Sequence, residues 1–131
     1  RVFNLLNKKV KNKKICFLGV TFKANTDDMR DSSSLTMIPS LVKKGAKVNY
    51  YDPTGEKKEF KKLKNVKFSH DIKSAIKESD LIIIHTEWND FKSINFKKYV
   101  RNKKFILFDM RGIYSSNKMG EQKIKYFCIG N

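Results

Sequence analysis

The sequence predicts an α/β domain with a mostly parallel sheet of about six strands and helices on both faces. Two observations carry this prediction. Segments typical of strands alternate with segments typical of helices along the 131 residues. Two of the strand segments, residues 81–86 and 104–110, are apolar almost without interruption, which is typical of parallel strands buried on both faces.

The first half of the chain contains a strand, a helix and a second strand. Residues 13–20 (KKICFLGV) predict the first strand. The helix is predicted over residues 31–44, because its apolar residues recur with the spacing of one helical face. Gly45 suits the position just after a helix, and Pro39 predicts either a kink or a later effective start. Residues 46–53 (AKVNYYDP) predict the second strand.

The second half continues the alternation with shorter elements. The connection after the second strand is polar and rich in lysine. Further strands are predicted over residues 66–69, 81–86, 104–110 and 123–130, a short helix over residues 70–80, and one or two helical pieces within residues 87–100.

Polar residues follow four of the predicted strands. Ligands of an open parallel sheet bind outside the carboxyl ends of its strands, so these residues converge on the expected ligand edge. The residues at or just beyond these strand ends are Thr21, Phe22 and Lys23 for the first strand, Asp52 and Pro53 for the second, His85, Thr86, Glu87 and Trp88 for the fourth, and Asp109, Arg111 and Gly112 for the fifth.

The turn after the first strand, GVTFKANTDDMRDSSS, concentrates charge and hydroxyl groups. In a functional interpretation, Lys23 and Arg30 bind phosphate oxygens, helped by the positive end of the helix that starts near Asp31 or Ser32. In a structural interpretation, Asp31 or Ser32 is the N-cap, and the aspartates of the turn are ion-pair partners of the two bases. The sequence alone leaves both open.

The other candidates at this edge also have structural alternatives. Asp52 precedes a proline. It either forms a turn or corresponds weakly in position to the acid that binds a ribose in a dinucleotide-binding unit. His85 is expected to end a strand in the core, and Trp88 to pack against the rim of the sheet. Arg111 leaves a buried strand behind Asp109, so it either binds a ligand or forms a structural ion pair.

The composition excludes several classes of function. The chain has 29 basic and 13 acidic residues and a net charge of +16, but its lysines are spread along the sequence and only four bases are arginine. We therefore expect no nucleic-acid site. No apolar run approaches the ~20 residues that span a bilayer. Cys16 and Cys128 lie in apolar runs, so we expect reduced thiols in a cytoplasmic protein, and the ligand spacing of a metal site is absent.

Four motifs together resemble one known family. They are LGVTFKANTDDMRDSSSL, GAKVNYYDP, LIIIHTEWNDF and FDMRGIYSSNKM, followed by the closing YFCIGN. In order and spacing they resemble the C-terminal domain of the UDP-glucose/GDP-mannose dehydrogenase family over nearly the whole chain. The segment after DMRG is most similar to the branch that oxidises UDP-glucose. The UDP-N-acetylhexosamine and GDP-mannose branches are the alternatives.

The resemblance implies a domain organisation. Residues 13–131 correspond to a Rossmann-like domain that binds the nucleotide sugar, while a separate N-terminal domain carries the glycine fingerprint and most of the NAD site. Residues 1–12, with Phe3, Leu6 and Val10 on one face, correspond to the end of a central helix that contributes to a homodimer. Because the sequence does not begin with methionine, we expect a piece of a longer protein.

The resemblance also implies roles for individual residues. Phe22, Lys23 and Arg111 match residues that contact the UDP-sugar substrate, although RG here replaces the more usual RN after the aspartate and methionine. Arg30 matches a residue that reaches NAD. The catalytic cysteine of the family precedes the central helix and lies outside this sequence, so no catalytic residue and no activity are expected of this chain alone. A non-catalytic Rossmann-like module that binds anions is the alternative from another class of protein.

Overall fold

The computed structural model describes residues 2–6 and 9–129 and builds them around one parallel sheet. Its strands are β1 (Lys14–Leu18), β2 (Lys47–Tyr51), β3 (Val66–Phe68), β4 (Leu81–Ile84), β5 (Ile106–Asp109) and β6 (Lys125–Cys128). They lie in the order β3-β2-β1-β4-β5-β6, and every neighbouring pair is parallel. The predicted α/β fold with about six mostly parallel strands is confirmed.

Helices cover both faces of the sheet, so the domain has three layers. Leu5 of α1 and the apolar residues of α2 pack in one cluster with one face of the strands. The apolar residues of α3, α4 and α5 pack in a second cluster against the other face. The helices are α1 (Val2–Leu5), α2 (Ser34–Lys43), α3 (Ile72–Ile76), α4 (Phe96–Tyr99) and α5 (Ser116–Glu121), with short 3₁₀ helices at Lys58–Phe60 and Asn89–Phe91.

Strand β4 shows why an uninterrupted apolar run indicates a central parallel strand. All four of its residues are buried. Because successive side chains of a strand point to opposite faces, Leu81 and Ile83 join the cluster beneath α2, whereas Ile82 and Ile84 join the cluster beneath α3. The strand therefore has no face that polar residues could occupy.

The strand order places a crevice between β1 and β4. The chain runs outward from β1 to β2 and β3, and then crosses back to begin the other half of the sheet at β4. The loops that follow β1 and β4 therefore leave in opposite directions, which opens a crevice at the carboxyl ends of these two strands. We call it the β1–β4 crevice.

The start of α2 differs from the prediction, whereas its end agrees with it. The predicted start at residue 31 is wrong, because Asp31 has a left-handed φ of 60° and the helix begins at Ser34 with Ser33 as N-cap. The predicted stop at Gly45 is confirmed. Gly45 has a φ of 97° and donates its amide to the carbonyl of Val42 at 2.9 Å, which closes the C-terminus of the helix.

The N-terminal segment packs on the same side of the sheet as α2. Leu6 and Val10 are buried in that cluster, although the helix α1 ends at Leu5, before either of them. Arg1, Asn7, Lys8 and the side chain of Phe3 lie outside the described residues. The division into a helix end at residues 1–12 and a domain at residues 13–131 stays a prediction.

Within residues 2–6 and 9–129, no helix has the length and apolar character needed to cross a membrane. The same ranges contain no group of three or more histidine, cysteine or acidic residues placed to bind a metal ion. Cys16 and Cys128 are buried free thiols, and burial raises the pKa of Cys16 well above its ordinary value.

Candidate functional site

The floor of the β1–β4 crevice is closed by direct contact between its two loops. Gly19 follows β1 with a φ of 79°, and a Cβ atom there would lie 2.6 Å from the Cβ of Thr86. The Thr86 hydroxyl donates to the carbonyl of Thr21 at 3.0 Å. This part of the crevice therefore has no room for a pyrophosphate at depth, and a ligand must bind above these loops.

Phe22 and Lys23 lie on the exposed part of the loop after β1. Phe22 is 46% exposed, which is unusual for a large apolar side chain. Its amide donates to the carbonyl of Asp28 at 3.0 Å, and the Thr21 hydroxyl donates to the carbonyl of Lys23 at 2.9 Å. The loop backbone is thus fixed by its own hydrogen bonds, and both predicted substrate contacts are accessible.

Arg30 is held by a neighbouring carboxylate. Its Nε and Nη2 atoms each donate to Asp28 at 3.0 Å, and its amide donates to Asp28 Oδ1 at 2.9 Å. The hydrogen bonds from Arg30 lower the pKa of Asp28. The Arg30 side chain remains 88% exposed, so the ion pair orients the guanidinium without burying it.

Arg111 joins the two loops of the crevice. Its Nε atom donates to the carbonyl of His85 at 2.9 Å, and its Nη2 atom donates to the carbonyl of Phe22 at 3.3 Å. The first residue follows β4 and the second follows β1. Arg111 is exposed and contacts the loop after β1 at Phe22, the residue before the exposed Lys23, at the mouth of the crevice.

The side chain of Asp109 fixes the loop that carries Arg111, mainly by accepting hydrogen bonds from the backbone amides of that loop. Its side chain is fully buried and accepts four hydrogen bonds. The donors are the amides of Arg111 at 3.0 Å, Gly112 at 2.8 Å and Tyr114 at 3.1 Å, and the hydroxyl of Tyr126 at 2.7 Å. Burial and this carboxylate raise the pKa of Tyr126. These bonds take the place of an ion pair between the side chains of Asp109 and Arg111, which was one of the two alternatives for Arg111.

Asp52 also has a structural role. Its side chain is 2% exposed, and Oδ2 accepts from the amide of Val20 at 2.9 Å. Oδ1 accepts from the amide and the hydroxyl of Thr54 at 2.9 and 2.6 Å. These bonds fix the turn after β2 and attach it to the loop after β1. They favour the turn-forming interpretation over the ribose-binding one.

The amino end of α2 is closed by its own serines. The hydroxyls of Ser32 and Ser34 each donate to the carbonyl of Val20 at 2.6 Å, and both side chains are buried. The amides of Leu35 and Thr36 already donate to the carbonyls of Ser32 and Ser33. These groups therefore do not face a ligand, which favours the structural interpretation of this turn at the helix terminus.

The sequence missed one contact at the crevice. The Ser33 hydroxyl lies 2.8 Å from Nε2 of His85, whose Nδ1 lies 3.2 Å from the Thr86 hydroxyl. Burial, reinforced by the positive charge of Arg111, lowers the pKa of His85 to about 4. His85 is buried at the end of β4 as expected, and Trp88 is buried at the rim. The run of three serines was the available signal, but it does not say which serine meets the histidine.

Comparison with known proteins supports the resemblance found in the motifs. A UDP-glucose 6-dehydrogenase of Rhizobium meliloti (strain 1021) is 36% identical over 122 residues, which cover 92% of this chain and 28% of that protein. A UDP-glucose 6-dehydrogenase of Rickettsia bellii (strain RML369-C) is 35% identical over 135 residues, which cover 100% of this chain and 31% of that protein. The chain thus spans about three tenths of the length of these curated relatives.

Solved structures share the fold. A UDP-D-ManNAc dehydrogenase from Pyrococcus horikoshii superposes with a TM-score of 0.72 at 28% identity, over 98% of this chain and 28% of that one. An NDP-N-acetyl-D-galactosaminuronic acid dehydrogenase from Methanosarcina mazei Go1 superposes with a TM-score of 0.82 at 22% identity, over 98% and 27%. The second likeness establishes the fold alone.

The sequence profile of one family accounts for most of the chain. Residues 16–116 match the UDP-binding domain of this family, and the matched range includes Phe22, Lys23, Arg30 and Arg111. The chain therefore belongs to the UDP-glucose/GDP-mannose dehydrogenase family.

Proposed function

We propose that this chain is the C-terminal nucleotide-sugar-binding domain of an NAD-dependent enzyme that oxidises UDP-glucose to UDP-glucuronate. The observation that carries the proposal is the match of nearly the whole chain to two proteins named UDP-glucose 6-dehydrogenase, at 36% and 35% identity. Because the match covers less than a third of either relative, the activity belongs to the longer protein. The 131-residue chain alone should not reduce NAD.

The arrangement at the crevice supports the substrate part of this proposal. Phe22, Lys23 and Arg111 are exposed and lie at one mouth, above a floor closed by Gly19 and Thr86. Two cationic side chains suit the diphosphate of a nucleotide sugar, and the exposed ring of Phe22 offers an apolar surface. A closed floor also explains why this domain does without the glycine fingerprint that lets a pyrophosphate approach a dinucleotide-binding loop.

The cofactor part concerns Arg30. In this proposal Arg30 reaches an NAD molecule held mainly by the N-terminal domain of the longer protein, and Asp28 orients its guanidinium. The exposure of Arg30 supports this role, since a residue that works across a domain boundary must be accessible on the isolated surface. The longer protein would form a homodimer through its central helix. The buried free thiols support a reducing, cytoplasmic location.

A second candidate function is oxidation of a UDP-N-acetylhexosamine. It is favoured by the structure of the dehydrogenase from Pyrococcus horikoshii, which is named for a substrate of this type and is 28% identical to this chain. Oxidation of GDP-mannose is the third candidate, because the family includes it by name. The three candidates differ in the base or the sugar of the ligand.

Calorimetric titration of the longer protein with UDP-glucose, UDP-N-acetylglucosamine and GDP-mannose, at two salt concentrations, tests the proposal. We expect tightest binding of UDP-glucose, and a loss of about tenfold or more in Lys23→Ala because a charged hydrogen bond to phosphate is removed. Lys104→Ala is the matched control, since Lys104 is an exposed lysine near the start of β5 at the opposite edge of the sheet. Its affinity should equal that of wild type.

Three results would contradict the proposal. Tighter binding of UDP-N-acetylglucosamine or of GDP-mannose than of UDP-glucose would place the protein in another branch of the family. Binding that collapses with salt and weakens equally in Lys23→Ala and Lys104→Ala would indicate a nonspecific anion-binding surface. NAD reduction by the 131-residue chain with UDP-glucose would refute the assignment of catalysis to the missing part.

A further inference from the structure

Four groups form a continuous chain of hydrogen bonds across the β1–β4 crevice. The carbonyl of Thr21 accepts from the Thr86 hydroxyl at 3.0 Å. The Thr86 oxygen lies 3.2 Å from Nδ1 of His85, and Nε2 of the same ring lies 2.8 Å from the Ser33 hydroxyl. This series of hydrogen bonds begins in the loop after β1 and passes through the two residues after β4. It ends at Ser33, the residue immediately before α2.

The carbonyl of Thr21 determines which atom donates in every hydrogen bond of this series. A carbonyl can only accept, so Thr86 donates its single proton to Thr21 and must accept from Nδ1–H of His85. A neutral imidazole protonated on Nδ1 carries a lone pair on Nε2. His85 is neutral at pH 7, since burial and the nearby guanidinium of Arg111 hold its pKa at about 4. Ser33 must therefore donate its proton to Nε2.

Ser33 differs from its two neighbours in being exposed. Ser32 and Ser34 are buried and donate to the carbonyl of Val20. Ser33 is the N-cap residue of α2, yet its side chain makes no capping hydrogen bond, because it is turned toward His85. The hydroxyl proton of Ser33 is thus donated to the buried His85, while the residue itself is exposed.

We propose that the Ser33 hydroxyl is an obligate hydrogen-bond acceptor at the mouth of the β1–β4 crevice and that it binds a hydroxyl group of the nucleotide sugar. His85 is then a positioning residue that fixes the direction of the bond. Arg111 lies at the same crevice and is bonded to the backbone carbonyl of the same histidine. A fixed acceptor and a cation on one crevice suit a ligand that carries both a hydroxyl and a phosphate. This inference rests on the proposed function.

The tautomer of His85 can be measured without any ligand. Long-range ¹H–¹⁵N correlation spectra of the 131-residue chain distinguish a protonated Nδ1 from a protonated Nε2. We expect the Nδ1–H form at pH 7, with protonation of Nε2 only near pH 4. The Nε2–H form at pH 7 would overturn the inference, because Ser33 would then accept from the ring and present its proton outward.

Titration of the longer protein with UDP-glucose measures the bond itself. Ser33→Ala should weaken binding about five- to tenfold, which corresponds to one neutral hydrogen bond. Ser33→Thr, which keeps the hydroxyl, should restore most of the affinity. Ser40→Ala is the matched control, because Ser40 is an exposed serine of the same helix, distant from the histidine, and its affinity should be that of wild type.

Shorter ligands identify the hydroxyl. A loss in Ser33→Ala that disappears with UDP places the bond on the hexose. A loss that persists with UDP but disappears with 2′-deoxy-UDP places it on the ribose 2′-hydroxyl, and one that persists with both places it on the 3′-hydroxyl. Wild-type protein that binds UDP-glucose no better than Ser33→Ala does would overturn this inference alone. Wild-type protein that binds none of these ligands would overturn the proposed function as well.

Discussion

The charged residues at the carboxyl edge of the sheet fall into a buried group and an exposed group. Asp52 and Asp109 are buried, and each accepts hydrogen bonds from backbone amides of the loops around it. Lys23, Arg30 and Arg111 are exposed within the same loops. The comparison teaches that a charged residue after a strand can either fix the loop from within or remain accessible at its surface. The buried members are aspartates that accept backbone hydrogen bonds, whereas the exposed members are the bases for which we propose ligand contacts.

Removing a buried carboxylate should have the largest effect on stability. Asp109→Ala leaves the amides of Arg111, Gly112 and Tyr114 without their shared side-chain acceptor. The Tyr126 hydroxyl keeps only the carbonyl of Tyr114 as an acceptor, at 3.1 Å. We expect the free energy of unfolding to fall by about 4 kcal/mol, a large part of the stability of a small domain. Urea denaturation followed by circular dichroism measures the change.

Asp90→Ala is the control for this prediction. Asp90 is an exposed acid that follows β4 at the same edge of the sheet, so it belongs to the exposed group. Its removal should change the free energy of unfolding by less than about 0.5 kcal/mol, as is usual for surface substitutions. Equal effects of the two substitutions would break the distinction between the groups.

Two glycines, Gly19 and Gly55, allow a similar comparison between a crowded and an open position of the backbone. Both have a positive φ, so an alanine at either position is strained by about 1 kcal/mol. Only Gly19 also faces a neighbour, since a Cβ there would lie 2.6 Å from Thr86, whereas a Cβ at Gly55 meets nothing within 4 Å. We expect Gly19→Ala to lower the free energy of unfolding by about 3 kcal/mol in total.

The difference between these two alanine variants isolates the contact that closes the crevice floor. It should be about 2 kcal/mol when both are measured by urea denaturation. Equal losses would mean that the loops after β1 and β4 separate at little cost. The crevice would then be open at depth, contrary to the arrangement on which the substrate site depends.

The fold was predictable from the sequence because its signals are local. The apolar run Leu81–Ile84 identifies a central strand by itself, and Gly45 marks the end of α2 by itself. The start of α2 was misplaced because Asp31 is a good N-cap residue by type. Its left-handed φ arises from the turn that leads Ser32 to the carbonyl of Val20, a contact between residues 12 positions apart.

The site was predictable only in part, because its contacts join distant parts of the chain. The exposed positions of Phe22 and Lys23 follow from a polar loop after a buried strand. The role of Ser33 depends on His85, which is 52 residues away, and the role of Asp109 depends on Tyr126 on a neighbouring strand. A sequence shows which residues reach the edge of the sheet, but the partners are fixed only when the strands are placed side by side.

A substitution next to the exposed residue Arg30 should have the smallest effect on stability. Its effect on ligand binding is the most informative. Asp28→Asn leaves Arg30 with at most one side-chain acceptor in place of two. Because the ion pair lies in solvent, we expect no measurable change in the urea midpoint. Binding of NAD to the longer protein should weaken two- to fivefold, since Arg30 must then be ordered when the cofactor binds.

Two effects compete in this last prediction, and the measurement distinguishes them. Asp28 orients Arg30, but it also offsets the charge that would attract a diphosphate. We expect orientation to dominate, because solvent and salt screen the charge of an exposed carboxylate, whereas the two-point contact fixes the plane of the guanidinium. Asp27→Asn, which removes a neighbouring exposed carboxylate, is the control for the charge alone. If Asp28→Asn binds NAD more tightly than wild type and Asp27→Asn does so equally, charge dominates, and Arg30 acts as a point charge whose orientation does not matter.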